Sequence, residues 1–249
     1  MQDTQLTQNN SSGAGPLVAK TSDGLHLSVQ TYGEVGNDEI VFIHGFGQSR
    51  LSWSKQTSSS LTEHYRVVSF DLRGHGNSDK PDHSAAYASG EQWADDLHLV
   101  METGACGALR SLAGPWADSL LGFTWQNTDV SVLPESIWWM LSQFSHLSYS
   151  FLHRRLESYC LDWPLPDLPE RATATAEFLA SCFATKPEAG TLEQMLVVAG
   201  MMPLVVTQGL LNVSGTGLDE GFAKSGPMLV TYGGKDLLFQ PPCPRACKR

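Results

Sequence analysis

Two short stretches contain the residue types that could do chemistry. The first is VFIHGFG, in which three apolar residues run into His44, Gly45, Phe46 and Gly47. The second is DLRGHGNSD, which spans residues 71–79 and is again rich in glycine. Glycines let the backbone approach a ligand closely, and backbone N–H groups in such a turn can stabilise a developing oxyanion. Each stretch by itself is also compatible with an ordinary strand-to-helix turn.

The segments around these turns predict alternating strands and helices. EIVFIHG and YRVVSFDL are apolar runs typical of strands buried on both faces, and EQWADDLHLVMETG has apolar residues at helical spacing. This order predicts a parallel sheet covered by helices. We expect EIVFIHG and YRVVSFDL to be adjacent parallel strands, with PMLVTYG, residues 227–233, in the same sheet.

The C-terminal half changes character. From about residue 134 the apolar and aromatic residues follow helical spacing, and further helices are predicted near 169–185 and 191–213. The aromatic residues of this region are more typical of helix packing than of a ligand-lining surface. PMLVTYGGKD, which ends at Asp236, then returns to a strand pattern.

Taken together, the two turns at this separation resemble the α/β-hydrolase family. In that family one turn carries His-Gly and the next carries D-x-R-G-x-G-x-S. The resemblance covers residues 20–103 well and 170–241 moderately. It implies an α/β fold with a mostly parallel sheet and a helical cap, here incomplete. It also implies that the turn formed by His44, Gly45, Phe46 and Gly47 shapes the oxyanion hole, and that Asp236 is the acid of a catalytic triad.

The resemblance divides the chain into four parts. They are a flexible tail at 1–20, the N-terminal part of the core at 21–130, the helical cap at 131–225, and a truncated return to the core at 226–249.

Two parts of the family's triad have no match in the sequence. No G-x-S-x-G occurs, although the nucleophile elbow should follow the helix that ends near residue 104. The nearest string is GACGA, which puts Cys106 in the nucleophile position, but the preceding residues read as a helix rather than a strand. Only LLFQPPCPRACKR follows Asp236, without a histidine to serve as the base. A hypothesis for both gaps is an altered transcript, a truncation or a gene-model error around residue 104.

Composition limits the partners, location and cofactors that the sequence predicts for this protein. The net charge of -10 disfavours binding to nucleic acid, and no apolar run approaches the roughly 18 residues of a membrane-spanning helix. The first residues do not resemble a signal peptide, so the sequence predicts a cytoplasmic protein. The five cysteines show no metal-binding spacing, and neither a metal nor a cofactor is expected. Nothing in the sequence indicates the oligomeric state.

The sequence therefore predicts a relative of the serine hydrolases that acts on a small apolar ester, lactone or similar substrate, with activity impaired in this chain. The alternative is a non-catalytic relative that binds an apolar ligand or a protein partner.

Overall fold

A computed structural model describes residues 14–104, 109–113, 168–181 and 187–210, and the single residues 183, 185 and 212. Among these residues, five strands form one sheet in the order β1-β2-β4-β3-β5. Their bounds are Gly15–Lys20 (β1), His26–Tyr32 (β2), Asp38–Ile43 (β3), Tyr65–Phe70 (β4) and Leu109–Ala113 (β5). The pairs β1–β2 and β2–β4 are antiparallel, and β3 is parallel to both β4 and β5. The prediction that EIVFIHG and YRVVSFDL are adjacent parallel strands is confirmed.

The helices lie on both faces of the sheet and beyond its carboxyl edge. Their bounds are Ser54–Thr57 (α1), Leu61–His64 (α2), Gly90–Thr103 (α3), Leu168–Ser181 (α4), Ala189–Gly200 (α5) and Leu204–Leu210 (α6), with 3-10 turns at Arg50–Trp53 and Ser84–Tyr87. The predicted helix at 191–213 is divided in two because Pro203 breaks the hydrogen-bond ladder between α5 and α6.

Strand β3 is buried on both faces, as its continuous apolar run predicts. Val41 and Ile43 belong to the core on the α3 side, and Ile40 and Phe42 belong to a second cluster on the other side. Phe42 stacks on Trp53 with ring centroids 4.6 Å apart. The core therefore holds the last residues of β3 rigidly, and these residues carry the first of the two turns.

Helix α3 confirms that the residues before Gly104 are helical. The Ser89 side chain caps its first turn by accepting a hydrogen bond from the backbone N–H of Gln92, 3.4 Å away. Gly104 ends the helix in a buried position, where a Cβ would lie 2.8 Å from Val68 Cγ2. Only a glycine fits this close approach between the end of α3 and β4.

Two edge strands differ from the sequence prediction. Gly15–Lys20 forms β1, although a flexible tail was predicted through residue 20. This strand lies at the sheet edge, where it pairs with β2 and leaves Val18 largely exposed, so it lacks the apolar pattern of a core strand. Leu109–Ala113 forms β5, which the sequence did not predict because glycines and Pro115 lie close to it in the chain. The segments 131–167 and 213–249, which include much of the predicted cap and PMLVTYG, lie outside the described residues, and the four-part division stays a prediction.

Candidate functional site at the carboxyl edge of the sheet

The two glycine-rich turns meet at one edge of the sheet because β3 and β4 are adjacent and parallel. His44 directly follows β3, and Asp71 directly follows β4. In the first turn, the Gln48 N–H donates to the Gly45 carbonyl at 3.2 Å, and Gly47 has a φ of 65°, which favours glycine. In open α/β sheets, ligands bind at the carboxyl ends of the strands. The geometry thus brings the sequence-predicted turn to the edge where a ligand site is expected.

His44 links the two turns through its ring. Its Nε2 accepts a hydrogen bond from the Leu72 N–H at 3.0 Å, and its Nδ1 donates to the Gly45 carbonyl at 2.8 Å. The ring is fully buried, and this burial lowers the pKa of His44 to about 4. His44 is therefore a neutral cross-link that fixes the first turn against the second, with neither nitrogen available to move a proton.

Asp71 provides a second link between the turns. Its buried carboxylate accepts hydrogen bonds from the backbone N–H groups of Arg50 at 2.7 Å and Asn77 at 2.9 Å, and it also pairs with the Arg50 guanidinium. Gly76 makes room for it, since a Cβ at that position would lie 2.3 Å from the Asp71 carboxyl carbon. Asp71 accordingly has a structural role, and a glycine is required in the second turn to accommodate it.

Arg73 anchors the second turn to α3. Its guanidinium donates to both carboxylate oxygens of Asp96, at 2.6 and 2.7 Å, and to Asp23 at 3.1 Å. Asp71 and Arg73 are close in sequence but do not pair with each other, because Asp71 pairs with Arg50 and Arg73 with Asp96. A cavity of about 240 Å³ beside the pair is lined by several acidic residues, including Asp95 and Glu102. This cavity lies next to α3 and does not include the turn that follows β3.

His75 belongs to the second turn, and its side chain is buried. Its Nδ1 donates to the Arg73 carbonyl at 2.9 Å, so its Nε2 carries a lone pair. Among the described residues this Nε2 has no hydrogen-bond partner, although the residue is only 2% exposed. Burial and the neighbouring His44 lower the pKa of His75 to about 3. His75 was not singled out from the sequence, and no pattern there signals its unpaired nitrogen.

Phe46 joins the first turn to the helices beyond the edge. It is 6% exposed, and it packs in one cluster with Phe178 and Leu179 of α4 and Ala199 of α5. The Phe46 and Phe178 rings meet edge to face with centroids 6.3 Å apart. Helices α4 and α5 therefore give the turn an apolar cover.

The other predicted site residues lie outside the described part of the chain. These are Asp236 and Cys106, and their roles stay predictions. The residues that flank Cys106 are nevertheless informative. Leu109 pairs with Glu39 at the start of β3, so β5 begins at the opposite end of the sheet from His44. The sequence directly after β5 is GPWAD, residues 114–118, and it contains no serine, cysteine or G-x-S-x-G pattern.

Comparison with known proteins shows which fold this chain has. Residues 39–146 match the family model described as the alpha/beta hydrolase fold, and this range contains both turns and β5. The chain therefore has the α/β-hydrolase fold, and residues 39–146 are similar to that family.

Several proteins that are similar to this chain carry names of enzymes. It is 39% identical to a non-heme chloroperoxidase of Streptomyces lividans over 61 residues, which are 24% of this chain and 22% of that protein. It is 41% identical to epoxide hydrolase 4 of the mouse over 64 residues, 26% of this chain and 18% of that protein. The structure resembles an esterase from Rhodococcus with a TM-score of 0.65 and 20% identity, covering 80% of this chain and 74% of that one. The chain thus matches only about a fifth of the length of these two curated relatives.

Two further observations concern metal binding and membrane-spanning helices. Within the described ranges, no group of three or more His, Cys, Asp or Glu side chains could hold a metal ion. No single described helix is long and apolar enough to cross a membrane, and the one pair there that reaches the required length and composition, in α5 and α6, is bent by 80°.

Proposed function

We propose that this α/β hydrolase takes a small apolar ester, lactone or similar compound at the His44–Gly47 turn, and that this chain hydrolyses it poorly. The observation that supports the proposal best is the joining of the two turns at the carboxyl edge. His44 and Asp71 fix that edge through hydrogen bonds of 2.7–3.0 Å to backbone N–H groups. A rigid backbone turn is what the stabilisation of a carbonyl oxygen requires, because its dipoles then need no reorganisation.

The preference for an apolar ligand rests on the cover over the turn. Phe46, Phe178, Leu179 and Ala199 are all at most 6% exposed and form one apolar cluster. Ligand sites of this kind are lined mainly by apolar side chains, with a few polar groups that fix the orientation of the ligand. An ester or lactone has this combination of an apolar body and one carbonyl.

The proposal of poor hydrolysis rests on the nucleophile and the base. This sequence has no G-x-S-x-G, and Trp116 is the third residue after β5, where the family's elbow would carry its nucleophile. The two histidines at the edge, His44 and His75, are buried and neutral, with pKa values of about 4 and about 3. A base with so low a pKa accepts a proton from an attacking group inefficiently. Loss of a triad member costs several orders of magnitude in rate.

The alternative function is ligand binding without chemistry, and the same apolar cover favours it. The two functions differ in one respect, namely whether a nucleophile is activated. A fluorophosphonate probe labels an activated serine covalently. We expect no labelling of the purified chain above that of the heat-denatured chain. Stoichiometric labelling would contradict the proposal of impairment and restore a competent serine enzyme.

The location of the site is tested by a matched pair of variants. Gly45→Trp fills the turn, whereas Gly190→Trp adds the same side chain at an exposed position in α5, where a Cβ would have no other atom within 4 Å. We expect phenyl butyrate to bind the unmodified chain and Gly190→Trp with equal affinity, measured by isothermal titration, and to bind Gly45→Trp at least tenfold more weakly. Equal binding to all three proteins would exclude the turn as the site.

A further inference from the structure

The unpaired nitrogen of His75 requires a physical explanation. A buried acceptor without a hydrogen bond destabilises the folded state, and most such groups in native proteins have a partner. The lone pair is fixed on Nε2 because Nδ1 donates to the Arg73 carbonyl at 2.9 Å. Rotation of the ring by 180° would break that hydrogen bond, so the free acceptor position is part of the folded arrangement.

The aromatic neighbours of His75 cannot supply the missing donor. The ring lies 5.2 Å from that of His44 and 6.5 Å from that of Trp93, measured between centroids. The N–H of His44 is already donated to the Gly45 carbonyl, and that of Trp93 to the Tyr87 carbonyl. The third neighbour, Phe46, has its ring 6.4 Å away and no polar hydrogen on its side chain. These three rings therefore leave His75 Nε2 without a donor.

A second unpaired group lies near the same turn. The Thr207 hydroxyl is buried and has no hydrogen-bond partner within the described ranges. Thr207 follows Val206, whose Cγ2 would lie 2.6 Å from a Cβ at Gly74, the residue before His75. The two unpaired groups therefore flank the closest contact between the second turn and α6.

We propose that His75 selects the ligand of this site: its Nε2 accepts a hydrogen bond from an O–H group, so that apolar alcohols and phenols bind better than equivalent molecules without a donor. This inference rests on the proposed function, since it requires a small apolar ligand beside Phe46. His75 serves here as an acceptor that positions the ligand and not as a base, because burial keeps it a weak one. The proposed site thus combines an apolar wall on Phe46 with one acceptor on His75.

Three ligands of nearly equal shape test the proposal on the unmodified chain. They are 4-ethylphenol, its methyl ether 4-ethylanisole, and ethylbenzene, of which only the first has a donor. We expect 4-ethylphenol to bind about threefold to tenfold more tightly than 4-ethylanisole, as one net hydrogen bond provides. In His75→Phe, which keeps a ring but has no acceptor, the phenol and the ether should bind equally. In His83→Phe, which changes an exposed histidine, the difference should persist.

The nitrogen itself provides a readout that does not depend on affinity or on the variants. In protein labelled with ¹⁵N-histidine, the Nε2 resonance of His75 should have the position of an unprotonated nitrogen without a hydrogen bond. It should move when 4-ethylphenol is added and stay fixed when 4-ethylanisole is added. A resonance already shifted in the free protein would mean that water fills the position, and this would overturn the proposal.

The two ways in which the binding experiment can fail are distinguishable. If all three ligands bind with equal affinity, the apolar site stands and the selection by His75 is refuted. If none binds, the proposed function is refuted, and the inference about His75 is refuted with it.

Discussion

Replacing Asp96 with asparagine removes one negative charge from a buried ion pair and keeps the shape of the side chain. Arg73 and Asp96 are each 2% exposed, and two hydrogen bonds of 2.6 and 2.7 Å join them. The asparagine amide can accept from one N–H of Arg73, but its NH₂ group then faces the second N–H. The variant therefore loses an ionic hydrogen bond and leaves the guanidinium partly uncompensated.

The expected loss follows from what remains around Arg73. Breaking a buried ion pair by removing one partner costs about 3–5 kcal/mol of unfolding free energy. Two partners of Arg73 persist in the variant, namely the Asp23 carboxylate at 3.1 Å and the Ala86 carbonyl at 2.9 Å. Asp23 is 34% exposed, so water screens its charge and it compensates only in part. We therefore expect Asp96→Asn to lower the free energy of unfolding by about 3 kcal/mol.

Urea denaturation followed by tryptophan fluorescence measures this loss. The matched control is Asp95→Asn, which makes the same chemical change at the neighbouring, exposed position and should alter the free energy by less than about 0.5 kcal/mol. The double variant Arg73→Met/Asp96→Leu, which removes both charges, should be more stable than Asp96→Asn alone. The reasoning is refuted if Asp96→Asn and Asp95→Asn unfold at the same urea concentration.

Three further outcomes are expected. Gly76→Ala should lower the free energy of unfolding by about 2–4 kcal/mol, because the new Cβ would clash with the Asp71 carboxyl group and the backbone φ of 45° is strained for alanine. The control Gly190→Ala should raise the free energy of unfolding by a few tenths of a kcal/mol. Urea denaturation measures both changes. The folded chain should lose stability as the pH falls below 6.5, because the pKa values of His44 and His75 in the folded chain are about 4 and about 3, so the unfolded chain takes up protons first. Each of the two histidines should lower the free energy of unfolding by about 2 kcal/mol between pH 7 and pH 5. The variant His75→Phe should therefore lose about 2 kcal/mol less than the unmodified chain over this pH range. Hydrogen exchange should be slow for the β5 amides that donate to β3. If all five amides of residues 109–113 exchanged at the rate of a free peptide, the pairing of β5 with β3 would be contradicted.

The parts of the fold that could be predicted from sequence are those whose signal is local. Strand β3 has a continuous apolar run followed at once by His44 and Gly45, so its burial and its end were both predictable. Helix α3 was predictable from its spaced Trp93, Leu97 and Val100, all of which are buried. The position of the His44–Gly47 turn then followed from the rule that parallel strands end at the same edge.

The features that sequence reasoning missed depend on residues far apart in the chain. Asp23 and Asp96 lie 50 and 23 positions from Arg73, and no spacing rule connects them. Strand β5 has only five residues next to glycines and Pro115, and β3 stabilises it by pairing, a context that intrinsic strand propensity does not contain. The unpaired Nε2 of His75 is likewise visible only once the neighbouring rings are in place.

The most direct test of the proposed site is a map of amide chemical shifts in the unmodified chain as phenyl butyrate is added. The account predicts that the largest changes occur at residues 44–47 and 72–76, where the two turns meet. Changes centred instead on Asp23, Asp96 and Glu102, around the cavity beside α3, would contradict it.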